Sequence, residues 1–146
     1  MRIVTWIGLP ALALLWASIA LAATCEDRLA NNSYECDFIN ISDAPFTGCF
    51  KFTTPGTTGN FDIHVHLSDG AIYNGGCSCL PIGSVRSPHF GVSKNFDCLT
   101  TFNGGSPTPF TFAGTAGART ISSGHTTSLN GITTLYTCRI STSVCP

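Results

Sequence analysis

The stretch Phe61-Asp62-Ile63-His64-Val65-His66-Leu67 alternates without a break. Positions 61, 63, 65 and 67 are apolar, and positions 62, 64 and 66 are polar. That period of two belongs to a β-strand, whose successive side chains leave opposite faces; a helix repeats at three and four. The strand therefore buries Phe61, Ile63, Val65 and Leu67 and turns Asp62, His64 and His66 outward. Ser68-Asp69-Gly70 follows and leads into Ala71-Ile72-Tyr73. Asp-Gly between two alternating runs is a hairpin signal.

The same pattern extends in both directions. Upstream, Tyr34–Ile41 and Phe46–Thr53 alternate, the second with Phe46, Gly48, Phe50 and Phe52 on one face and Cys49 on the other. Downstream, Asn74-Gly75-Gly76 predicts a turn before a strand at Cys77–Ile82. Further strands are predicted at Asn95–Phe102, at Pro109–Ala113 and, more weakly, at Arg119–Ser122. A last hairpin joins Thr126–Leu129 to Ile132–Ile140 across Asn130-Gly131. Ser84–Ser93, Gly104–Pro109 and Gly114–Gly117 read as loops. No helix of convincing length is predicted. Ser and Thr, frequent throughout, disfavour helix interiors, and Thr favours strands. Roughly eight half-apolar strands joined by short turns predict an all-β fold. It is an antiparallel meander that forms a small barrel or a sandwich. Ten Phe residues supply its core.

Ahead of these strands, Arg2 precedes an almost wholly apolar run that ends in Ala20-Leu21-Ala22. Small residues at 20 and 22 fit a peptidase site, so residues 1–22 read as a signal peptide and 23–146 as a single exported β domain. The run is also long enough to span a bilayer, which leaves an uncleaved anchor open. Leu21-Ala22-Ala23-Thr24-Cys25 loosely resembles a lipoprotein box, a minor alternative that would anchor the chain at Cys25. Thr fits poorly before the modified Cys, and lipidation would leave an odd number of cysteines.

All eight cysteines, Cys25, Cys36, Cys49, Cys77, Cys79, Cys98, Cys138 and Cys145, follow the leader. An even number behind an export signal predicts disulfides and a secreted or periplasmic location. Cys77 and Cys79 share a strand face and are too far apart to bond each other, so each needs another partner; Cys98 and Cys49 are candidates. Cys36 and Cys138 sit in the first and last strong strands and would be stapled if the sheet closes. Thiolate zinc is disfavoured, because no second close Cys pair matches Cys77-Ser78-Cys79.

Charge excludes other classes. Seven basic and eight acidic residues give a net charge of −1, with no basic excess to attract nucleic acid. Once the signal is removed, no membrane span remains. The sharpest chemical cluster is Asp62-Ile63-His64-Val65-His66. It places a carboxylate and two imidazoles on one strand face, a chelating pattern suited to Zn²⁺ or Cu²⁺, with His89 or His125 as a third nitrogen ligand. The bland alternative is that an amphipathic strand simply needs polar residues outside. No Gly-x-Ser-x-Gly elbow or phosphate-binding loop occurs, and no catalytic residue is assigned. The acids Glu35 and Asp37 share a face, but capping and solvation account for most such pairs. The leading expectation is a secreted, non-catalytic domain without a cofactor that binds a small ligand or surface partner. A metal-binding protein using Asp62, His64 and His66 is the first alternative. A hydrolase with a site built from loops is the second.

Overall fold

The alternating runs of sequence become the walls of a closed barrel. In the computed structural model, residues 24–39, 45–80, 94–103, 109–128, 131–143 and 145–146 are described. The strands are β1 (Ser33–Ile39), β2 (Phe46–Thr53), β3 (Phe61–Leu67), β4 (Ile72–Cys79), β5 (Asn95–Phe102), β6 (Pro109–Ala116), β7 (Thr120–Ser128) and β8 (Thr133–Ile140). Each pairs antiparallel with the next, and β8 pairs with β1. Between barrel and sandwich, closure decides for the barrel: every described strand has two neighbours, and no edge is left open.

Inward positions follow the period of two. Tyr34, Phe50, Phe52, Phe61, Ile63, Val65, Phe96, Phe112, Ile121 and Tyr136 are each at most 1% exposed. Rings from non-adjacent walls meet across the interior. Phe50 of β2 stands 5.3 Å from Phe112 of β6, and Phe52 of β2 stands 5.8 Å from Phe96 of β5, both edge-on. An eight-stranded barrel is just wide enough for side chains to fill it, and here Phe and Tyr do so.

One end of the barrel is closed by a short helix absent from the sequence-based expectation, α1 (Cys25–Leu29). Thr24 and Asp27 cap it reciprocally: the Asp27 amide donates to Thr24 Oγ1 at 3.0 Å, and the Thr24 amide donates to Asp27 Oδ2 at 2.9 Å. Cys25 and Leu29 are completely buried, and α1 packs on β4 and β6. With only five residues, this helix depends on packing and its bridge rather than on propensity.

The eight cysteines form four disulfides. Cys36–Cys138 staples β1 to β8 at the closing seam, and Cys77–Cys98 joins β4 to β5; both pairs are direct cross-strand partners. Cys25–Cys79 ties α1 to β4. Cys49, expected to serve Cys77 or Cys79, instead bonds Cys145. The reason is orientation: Cys49 lies on the outer face of β2, whereas Cys77 and Cys79 face inward.

Two predicted breaks are strand. Asn74-Gly75-Gly76 lies inside β4. A Cβ on Gly75 would stand 2.0 Å from the Leu99 carbonyl oxygen, and one on Gly76 would stand 2.4 Å from the Thr58 carbonyl carbon. These glycines admit close backbone neighbours rather than a turn. Gly114–Gly117, expected as a loop, is mostly strand, because β6 runs to Ala116. The expected strands at Arg119–Ser122 and Thr126–Leu129 are one irregular strand, β7. Its register with both neighbours shifts near Ser123, which has φ of 51°. The leader, the whole of Ser84–Ser93 including His89, and Gly104–Pro109 up to Thr108 lie outside the described residues.

Candidate functional site

Residues on the outer faces of β8, β1, β2 and β3 fall into rows. Arg139 is opposite Glu35, Glu35 opposite Cys49, and Cys49 opposite His66. One step along, Asp37 is opposite Thr47. The Thr47 amide donates to Ser68 Oγ at 3.2 Å, and the Ser68 amide donates to Thr47 O at 2.9 Å. The chain after β8 crosses the outside of β1. The Ser141 amide donates to Ser33 O at 2.8 Å, and the Ser141 hydroxyl donates to Glu35 Oε1 at 3.2 Å. The Cys49–Cys145 bridge then holds this tail on β2.

Between tail and wall lies an open cleft of about 380 Å³, with Glu35, Asp37, His66, Ser68, Arg139 and Pro146 among its lining residues. Glu35 and Arg139 form an ion pair at 3.5 Å, with both side chains well exposed. Such a pair adds little stability and can exchange for a ligand's charge. Glu35 and His66 are two strands apart, about 10 Å, with the bridge between them.

The predicted metal-binding residues divide. Asp62 is only 7% exposed, despite its outward position. Its Oδ2 accepts from the Thr57 amide at 2.8 Å and the Thr57 hydroxyl at 2.6 Å; its Oδ1 accepts from the Thr58 amide and hydroxyl, both at 3.1 Å. Burial raises the carboxyl's pKa, but the hydrogen bonds from Thr57 and Thr58 outweigh it and hold the group at about 2. A carboxylate has about four acceptor positions, and all are in use.

His64 and His66 are half-buried on the same outer face of β3. His64 Nδ1 is hydrogen-bonded to Asn74 Oδ1, directly across on β4. A carbonyl acceptor there places the proton on Nδ1 and leaves Nε2 with its lone pair. His125 is exposed on β7, with three strands between it and β3 in either direction around the barrel. It is thus on the opposite wall and cannot join the pair. Among the described residues, no three His, Cys, Asp or Glu side chains gather into a set able to hold a metal ion. Nor, among those residues, does a His ring nitrogen hydrogen-bond a Ser or Thr hydroxyl.

The cleft was not visible in the sequence, because its outer wall depends on which cysteine Cys145 meets. A signal did exist: among the strand cysteines, only Cys49 sits on a polar face, so its partner must come from outside the barrel. Comparison with protein-family models, with curated proteins and with solved structures finds no match. Four disulfides suit an oxidising, extracellular-type environment. No described helix is long and apolar enough to cross a membrane.

Proposed function

We propose that this chain is an exported, non-catalytic binding domain that takes its partner on the outside of the barrel, in the cleft along β8, β1, β2 and β3. The observation that carries this reading is the contrast between inside and outside. Aromatic rings from opposite walls meet in the interior and leave it to the core. The outer wall offers a concave surface held by a disulfide. Its side chains suit a small charged or zwitterionic group, either free or displayed by a partner. Arg139 offers a cation, Asp37 and Glu35 offer anions, and Ser68 and His66 offer polar contacts.

The test is amide chemical-shift mapping on the purified protein with a defined probe set of free amino acids, alkyl amines and short carboxylates. Shifts should cluster at Glu35, Asp37, Thr47, His66, Ser68 and Arg139, and the responding probe should lose affinity in Arg139→Glu. Shifts centred on the inward residues Thr100, Phe110 and Thr126 would move the site into the barrel and defeat the proposal. No response from any probe would defeat the proposed ligand class.

A further inference from the structure

We propose that His64 and His66 form a two-imidazole site for a divalent transition ion, Zn²⁺ or Cu²⁺, on the outer face of β3. The two residues are i and i+2 on one strand, so their Cα atoms are about 7 Å apart and both side chains leave the same face. Imidazole nitrogens at this spacing can close on one ion at about 2.0–2.1 Å each. Three further observations favour the pair. The hydrogen bond from His64 Nδ1 to Asn74 fixes one ring and presents Nε2 as the ligand atom, the arrangement by which outer partners orient metal-bound histidines. Both rings are half-buried, which restricts their rotamers before binding. Asp62 is already saturated by Thr57 and Thr58, so the site is purely nitrogenous and keeps positions open to water or a ligand. His66 also lines the outer cleft, so those open positions lie at the cleft's edge. Lys51, opposite His64 on β2, repels the ion and limits the affinity.

The site shares His66 with the cleft but does not rest on the cleft-binding proposal, and its test uses the metal alone. The full, untagged protein is titrated calorimetrically with Zn²⁺, and the paramagnetic broadening caused by Cu²⁺ is mapped by NMR. One ion per chain is expected, with broadening centred on His64, His66, Lys51 and Asn74. His64→Ala and His66→Ala should each weaken binding by at least about tenfold while the melting transition stays in place. Asn74→Ala should weaken it less, and Lys51→Gln should strengthen it several-fold. His125→Ala should change nothing. Binding that survives the His64→Ala/His66→Ala double variant, broadening centred elsewhere, or no saturable binding would each overturn the proposal.

Discussion

Asp62 accepts four hydrogen bonds from two threonines and so ties the segment before β3 to the outside of the barrel. The hydrogen bonds hold its folded carboxyl at about 2, below the ordinary aspartate value of 3.8. The stabilisation is therefore complete well above pH 4 and is lost as the pH falls through the folded value of about 2, below which folded and unfolded states both carry the proton. Asp62→Asn should cost about 1–2 kcal/mol at pH 7, a figure discounted for nearby solvent. In urea titrations the gap to the native protein should shrink as the pH falls from about 4 and close below about 2; a pH-independent gap would rule out the ionised carboxylate as the cause. Tyr136 makes a second single-residue contribution, because its buried hydroxyl donates to Ala113 O at 2.8 Å. Tyr136→Phe leaves that carbonyl short of a partner and should lower stability by about 1–2 kcal/mol in the same assay. Alternation alone revealed that 62, 64 and 66 share a face. It did not reveal that Asp62 is covered, because the covering segment lies against it only once β3 and β4 are paired.

At the scale of the element, β4 is where local preference and pairing disagree. Asn74-Gly75-Gly76 has the composition of a turn, yet Tyr73, Gly75 and Cys77 are aligned with Phe102, Thr100 and Cys98 of β5. Cross-strand pairing and the Cys77–Cys98 bridge override the weaker local signal. Gly75→Ala would force its Cβ against β5 backbone, which cannot move without breaking that ladder. The expected loss is about 3 kcal/mol or more, seen as a lower urea midpoint. The outward Ser78→Ala in the same strand should stay within about 0.5 kcal/mol. Equal effects of the two would remove the close-approach explanation. The same logic explains β7, where Gly124 lies beneath the Tyr136 ring: a Cβ there would stand 2.4 Å from Cε2.

For the whole molecule, the bridges are coupled. Cys36 and Cys138 are 102 residues apart along the chain. With Cys49–Cys145 intact, however, the covalent path between them is short: thirteen residues from Cys36 to Cys49 and seven from Cys145 back to Cys138. Restricting a loop of that length is worth about 3.3 kcal/mol. Without Cys49–Cys145 the shortest covalent path runs through the other two bridges, eleven residues from Cys36 to Cys25, two from Cys79 to Cys77 and forty from Cys98 to Cys138, and restricting it is worth about 4.2 kcal/mol. Replacing Cys36 and Cys138 by Ala should therefore cost about 1 kcal/mol more in a Cys49→Ala/Cys145→Ala background than in the native one. A double-mutant cycle in urea measures this, and strict additivity would exclude the chain-entropy account. Losing Cys49–Cys145 should also free the tail that walls the cleft, with amide shifts at Ser141, Ser143 and Pro146's neighbour Cys145→Ala.

The sequence by itself determined strand character, which residues face inward, and the pairing of Cys36 with Cys138 once closure is assumed. These follow from a period of two and from the need to bury Phe-rich faces, both local properties of the chain. Three things were decided only in the tertiary structure: the choice of barrel over sandwich, the continuity of β4 through its glycines, and the partner of Cys49. Each depends on which strand or segment comes to lie beside another, and a contact between residues distant in sequence leaves no local periodicity to read. The outer cleft belongs to the same group, since the tail reaches β2 only after β8 has closed onto β1.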